Sequence, residues 1–232
     1  SAQGLYFHLE GAQEEGTAWR TCHPYRHLCI ERRCECSGDD DASCNVPATR
    51  RGLFYTLGQA EGGGPFTNPV SSGVLRLLTS RDVMEGRVGA TDAAGLVSVN
   101  EMGGGITEVE GTLEDLPWVA VDLGPERALS ASHYVITHPD TPPDNALNSW
   151  RLEGSLDGVE WYILREHLDA MPFAAPRSSV CFSLGSPTLP CRWLRLQLTS
   201  PNYGGRPMLH LSQIEFFGVL TTLYPKVLQD QL

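Results

Sequence analysis

The sequence predicts an all-β domain, and three observations carry that expectation. The 232 residues include 24 glycines and 16 prolines, which punctuate the chain too often for long helices. Short strand-like runs succeed one another from residue 52 onward, with turn signals between them. Only residues 80–88 and 164–171 have the composition of a short helix.

Strands are expected at residues 53–57, 73–79, 96–99, 118–123, 133–137, 150–155, 160–165, 179–184, 192–199 and 213–217. Two are sharply marked. Trp150-Arg151-Leu152-Glu153-Gly154-Ser155 leads through Leu156-Asp157-Gly158 into Glu160-Trp161-Tyr162-Ile163-Leu164, and an Asp-Gly dipeptide between such runs signals a tight hairpin. Arg192-Trp193-Leu194-Arg195-Leu196-Gln197-Leu198 alternates polar and apolar residues, the pattern of a strand with one face buried. Its polar face carries Arg195, which, like Arg151, is expected to pair with a carboxylate on the sheet. Trp118, Trp150, Trp161 and Trp193 are expected in the core.

Residues 1–51 read as a separate cysteine-rich extension. Cys22, Cys29, Cys34, Cys36 and Cys44, with His23 and His27 beside them, could supply four ligands to a structural zinc. Their spacing fits no paired CxxC pattern, so disulfides and free thiols stand as alternatives. Asp39-Asp40-Asp41 reads as a solvated loop. Seven cysteines in all cannot pair completely within one chain. Cys181 and Cys191 either face each other across a hairpin or are buried as free thiols.

Composition narrows function. The formal charge of −11 repels a phosphate backbone and an anionic membrane, so neither nucleic acid nor membrane is expected as a partner. No run approaches a membrane span, and no signal peptide opens the sequence. Of 17 basic residues only Lys226 is a lysine. Two readings fit that scarcity: a coding sequence that favours arginine codons, or a protein working beside lysine-modifying machinery such as ubiquitin ligases. Neither Gly62-Gly63-Gly64 nor Gly103-Gly104-Gly105 opens a helix in a phosphate-binding pattern. No GxSxG, HExxH or Cys-His nucleophile pair is present, so no enzyme is expected. Glu108, Glu110, Glu114 and Asp115 read as a solvated acidic loop.

From Trp118-Val119-Ala120-Val121-Asp122-Leu123-Gly124, through Ser132-His133-Tyr134-Val135-Ile136-Thr137-His138 and the 150–161 hairpin, to Leu211-Ser212-Gln213-Ile214-Glu215-Phe216-Phe217-Gly218, the chain resembles the coagulation factor 5/8 type C, or discoidin-like, domain of the galactose-binding-like superfamily. The resemblance implies an eight-stranded jelly-roll sandwich over residues 52–218, leaving 219–232 as a C-terminal tail. Gly52-Leu53-Phe54-Tyr55-Thr56-Leu57-Gly58 with Asn68-Pro69 looks like the variant found within intracellular BTB proteins and large ubiquitin ligases. That variant is similar in plan to the DOC domain of the anaphase-promoting complex. The disulfide that ties the ends of secreted members has no cysteine near Gly218, which together with the odd count implies a reducing compartment, cytoplasmic or nuclear.

This fold hosts lectins, lipid binders and protein-binding modules alike, so candidate residues come from the loops. His138, Asp140, Asp144, Asn145 and Asn148 fall in one loop. Asn202, Tyr203 and Arg206 fall in a second, and Thr67 and Asn68 in a third. A tyrosine beside arginine and asparagine can stack on a sugar or receive a carboxylate or peptide backbone. The expected function is a recognition module that binds a protein or peptide segment, as a substrate-recruiting or scaffolding part of a ubiquitin-linked protein. The alternative is a carbohydrate-binding module, with or without calcium.

Overall fold

A computed structural model describes residues 19–22, 25–30, 52–59, 65–86, 92–97, 107–170, 172–173 and 175–223. Among the described residues twelve strands lie in three antiparallel sheets. The first sheet has the order β1 (Trp19–Cys22), β2 (Tyr25–Ile30), β12 (Gln213–Leu223), β6 (Arg127–Thr137), β9 (Ser179–Ser183). The second has the order β3 (Arg76–Thr79), β5 (Trp118–Asp122), β10 (Trp193–Leu198), β7 (Trp150–Ser155), β8 (Tyr162–His167). A two-stranded ladder joins β4 (Thr107–Glu110) to β11 (Met208–Leu211). The architecture is the all-β sandwich expected, with more strands than the eight of the resemblance.

The core follows from alternation. Leu194, Leu196 and Leu198 of β10 are buried while Trp193, Arg195 and Gln197 face outward. They join Tyr134 and Ile136 of β6, Phe182 of β9 and Phe216 of β12 in one apolar cluster. Burying such side chains is the main favourable term in folding, at about 25 cal/mol per Å² of apolar surface. At its centre the Tyr134 hydroxyl accepts a hydrogen bond from Trp150 Nε1 at 3.1 Å and meets His167 Nε2 at 2.8 Å. The polar atoms of this aromatic group are thereby satisfied.

Three local expectations change. Residues 53–57 form helix α1 (Leu53–Gly58) rather than a strand. The cause is the buried Glu215 carboxyl of β12, whose oxygens accept the backbone N–H groups of Phe54 and Tyr55 at 2.9 and 3.3 Å and so cap the helix start. Residues 92–97 form a 3₁₀ helix where the strand 96–99 was expected; residues 98 and 99 lie outside the described residues. The helix expected over 164–171 is absent from its first half, because β8 continues to His167 in register with Trp150. Helix α2 (Ser80–Met84) does form within the expected 80–88 window, closed by a reciprocal Thr79–Asp82 capping box.

The sequence reading closes the domain at Gly218, but β12 runs on to Leu223. Beyond a bulge at Phe217/Gly218 it pairs with β6 on one side and with β2 on the other. Gly218 has φ +151°, and a Cβ there would stand 2.1 Å from the Ser130 carbonyl oxygen. Only glycine lets the strands approach so closely. The side chains of the cysteine and histidine set expected to bind zinc, Cys22, His23, His27, Cys29, Cys34, Cys36 and Cys44, lie outside the described residues, as do Gly62-Gly63-Gly64 and Gly103-Gly104-Gly105.

Cys181 and Cys191 are both buried and neither is in a disulfide. They lie on different strand partners, Cys181 opposite Val135 and Cys191 opposite Leu129. Among the described residues no helix is long and apolar enough to cross a membrane.

Candidate functional site

The 138–149 and 200–207 loops meet at one end of the sandwich. Tyr203 N–H donates to the Ala146 carbonyl at 2.9 Å and Gly204 N–H to the Asp144 carbonyl at 2.6 Å. A Cβ at Gly204 would lie 2.9 Å from that carbonyl oxygen, so a side chain there would part the loops. Within the second loop Asn202 N–H donates to the Arg206 carbonyl at 2.8 Å, and Asn202 Oδ1 accepts from Arg206 N–H at 2.9 Å. Arg206 Nη2 then reaches across to Asn145 Oδ1. The result is a rim that carries Tyr203, 49% exposed, and the hydrogen-bonded Arg206 guanidinium and Asn145 amide.

Beneath the rim lie two buried histidines. The rings of His138 and His210 stand edge to face with centroids 6.3 Å apart. His138 Nε2 contacts the Thr141 carbonyl at 3.3 Å. His210 Nε2 is 3.2 Å from Glu108 Oε1, but without hydrogen-bond alignment. Among the described residues both His210 ring nitrogens, Asn202 Nδ2, Thr141 Oγ1 and Thr199 Oγ1 are buried without a hydrogen-bond partner. Such groups are costly unless something pairs with them.

Burial pushes both imidazoles below the usual histidine range. For His138 burial outweighs the backbone carbonyls of Pro142 and Thr141. For His210 burial, with the neighbouring His138 and Arg206, outweighs the attraction of Glu108. Both rings are therefore neutral at pH 7 and each presents one donor and one acceptor.

Five of the residues singled out in the sequence are thus brought together: His138, Asn145, Asn202, Tyr203 and Arg206. Asp140 stands at the margin, ion-paired with the exposed Arg177. Asn148 Nδ2 makes a long 3.4 Å bond to Ser200 Oγ between the two loops. Asn68 is engaged elsewhere: its Nδ2 donates to the Ala94 carbonyl at 2.9 Å and its Oδ1 accepts from Val70 and Ser71 N–H groups. Its amide therefore serves its own turn and not the rim.

Sequence reading missed His210, Thr141 and Glu108. Strand β11 is four buried residues with no polar alternation, so nothing in its pattern separates His210 from a core position. Glu108, read as part of a solvated loop, lies on β4 directly opposite His210.

Of the four tryptophans expected in the core, Trp150 is fully buried. Trp118, Trp161 and Trp193 are only partly buried and lie against arginines. Arg195 lies 4.0 Å from the Trp161 centroid and 5.7 Å from that of Trp118. These tryptophans stand at outward positions, where a guanidinium covers the ring by cation–π attraction. Arg151 and Arg195 pair with Glu153 at 2.7 and 2.6 Å, as expected. Among the described residues no group of three or more His, Cys, Asp or Glu side chains gathers to hold a metal.

No family model matches the chain. It is 29% identical over 156 residues, 65% of its length, to the BTB/POZ domain-containing protein At2g30600 of Arabidopsis thaliana. It is 31% identical over 105 residues, 44% of its length, to the E3 ubiquitin-protein ligase Ufd4 of Drosophila melanogaster. The chain spans 18% and 4% of the lengths of those two relatives.

Solved structures similar to it include the family 32 CBM of C. perfringens NanJ in complex with galactose, at 12% identity and TM-score 0.46, covering 65% of this chain and 96% of that one. A fucolectin from striped bass (Morone saxatilis) serum is 17% identical with TM-score 0.45, covering 67% and 50%. An F5/8 type C domain from Bacteroides fragilis is 13% identical with TM-score 0.45, covering 63% and 92%.

Proposed function

We propose that the chain is a non-enzymatic recognition module whose 138–149 and 200–207 loops bind a glycan. The observation that carries this reading is the rim itself. The loop pair that presents the exposed Tyr203 also holds the Arg206 guanidinium and the Asn145 amide in fixed relation, and it carries buried side chains whose donors and acceptors lack hydrogen-bond partners among the described residues. A sugar ring offers an apolar face to stack on Tyr203 and paired hydroxyls that both donate and accept. A peptide held by apolar anchors would need hydrophobic pockets, whereas Asp140, Asp144, Asn145 and Arg206 make this rim polar.

A glycan array, followed by titration of the best binder, tests the reading. Saturable binding that Tyr203→Ala and Arg206→Ala each weaken at least tenfold is expected. Binding to no glycan, or binding indifferent to both changes, contradicts it.

The second reading is recognition of a protein segment within a larger intracellular, ubiquitin-linked protein. It is supported by the names of the two sequence relatives, a BTB/POZ protein and an E3 ubiquitin ligase, and by the single lysine. An affinity capture in which wild type enriches a protein that Asn145→Ala and Tyr203→Ala both release, with no glycan bound, would move the assignment there.

A further inference from the structure

At the other end of the second sheet lies a cleft of about 220 Å³, lined by Gly73, Arg76, Asp122, Gly124, Pro125 and Arg192 among others. The buried Asp122 carboxylate accepts five hydrogen bonds: Arg76 Nε and Nη2 at 3.1 and 2.5 Å, Arg192 Nε and Nη2 at 2.7 and 2.9 Å, and Gly124 N–H at 3.0 Å. A carboxylate has about four lone-pair sites, so Asp122 has no acceptor left for anything else.

The two guanidiniums are in the opposite position. Each has five N–H donors and gives two of them to Asp122. The remainder meet no acceptor among the described residues. Both groups also lie over the Trp193 ring, at 5.6 and 5.4 Å from its centroid, so Asp122 and Trp193 together fix their orientation. Arg127 Nη1 donates to the Val74 and Leu123 carbonyls at 3.0 and 3.1 Å, tying the walls of the cleft to each other. Two cations against one carboxylate make the cleft positive in a chain of net charge −11.

We propose that this cleft is a second ligand site, for the carboxylate or phosphate group of a small anion. A site that offers fixed donors and no acceptor selects an oxyanion over a hydroxyl or amide, and forked guanidiniums match carboxylate and phosphate geometry. Arg76, whose side chain is 52% exposed, is the residue an entering anion meets. A cleft of about 220 Å³ has room for an anionic group with a few attached atoms. The site does not depend on the glycan reading, since it uses no residue of the loop end.

The test titrates the whole chain with inorganic phosphate and, separately, with succinate, against sodium chloride at matched ionic strength, following the Arg76 and Arg192 Nε–H resonances. Saturable shifts with phosphate identify a phosphate site and with succinate a carboxylate site, and either supports the proposal when chloride gives none. Arg76→Gln is expected to weaken binding about tenfold while thermal melting shows the fold retained, and Arg81→Gln, on exposed helix α2, to leave it unchanged. If neither anion saturates, if chloride reproduces the shifts, or if Arg76→Gln binds as wild type does, the Arg76–Asp122–Arg192 group is only a structural ion cluster.

Discussion

The two ends of the sandwich differ in their buried polar groups, although each holds some without a hydrogen-bond partner, Trp193 Nε1 at the Asp122 end among them. At the Asp122 end one carboxylate takes five donors, and its charge is met by two guanidiniums. At the loop end Asn202, Thr141 and Thr199 hold buried polar atoms with no hydrogen-bond partner among the described residues, and His210 meets the Glu108 carboxylate at 3.2 Å without a hydrogen bond. A satisfied cluster stabilises the fold, and removing its centre strands what surrounds it. An unsatisfied cluster costs stability and is kept where a ligand or ordered solvent can complete it. The contrast sets the charge-paired Asp122 cluster and the proposed glycan rim at opposite ends of the strands, where each can be tested without disturbing the other.

The largest expected effect comes from breaking the satisfied end. Asp122→Ala leaves two arginines and the Gly124 N–H without their acceptor. Loss of one partner from a buried pair costs about 3–5 kcal/mol, and the partial exposure of Arg76 brings the expectation to the low end, about 3 kcal/mol. Urea unfolding checks it. A loss below about 1 kcal/mol would show that the cluster is a surface ion pair of ordinary weight.

A smaller effect separates the ends by pH. The loop-end histidines have folded pKa values below their ordinary 6.5, so the unfolded chain takes up protons first. Their destabilisation begins as pH falls through 6.5 and is complete once the folded values are passed. At Asp122 burial alone would raise the carboxyl, but the bonds from Arg192, Arg76 and Gly124 hold it below its ordinary 3.8. Its contribution is therefore present above pH 3.8 and is lost only as pH falls through the lower folded value.

Glu215 slopes the other way. Burial pushes it up to about 8 against the N–H groups that favour its charged form, so its contribution is full below its ordinary value of 4.5 and fades as pH rises toward 8. In the difference between His210→Leu and wild type the Glu215 and Asp122 terms cancel. That difference is expected to favour the variant increasingly as pH falls below 6.5 in thermal melts. A flat difference would place the loop-end titration elsewhere.

The smallest effect on stability is expected from Tyr203→Ala. The ring is half exposed, and its loss should change unfolding free energy by no more than about 0.5 kcal/mol while weakening ligand binding at least tenfold. Equal losses of both would make Tyr203 a packing residue.

How far the sequence foretold this molecule depends on whether the governing interaction is local. The β10 alternation appears where expected because a strand's burial pattern is written in adjacent residues, whereas the Asp157-Gly158 turn does join β7 to β8 but through a loop of residues 156–161 and not a tight two-residue hairpin. Helix α1 was misread because its cap, Glu215, lies about 160 residues away and nothing within residues 53–58 announces it. Strands β4 and β11 were missed because each exists through the other. The same pairing placed Glu108 against His210 and hid both from view. The loop residues Asn145, Asn202, Tyr203 and Arg206 were legible by type, since planar polar and aromatic side chains in turns suit recognition. The outward tryptophans were not legible as such, because a guanidinium covering an indole leaves no mark in one-dimensional periodicity.

The unfolding free energy and ligand affinity of His210→Leu, measured together at pH 7, test the central claim most directly. An apolar side chain of similar size replaces a ring whose nitrogens make no hydrogen bond among the described residues, so stability should stay within about 1 kcal/mol of wild type or rise, while affinity at the Tyr203 rim falls. A variant destabilised as severely as Asp122→Ala, or one that binds unchanged, would show that the loop end is structure and not a recognition site.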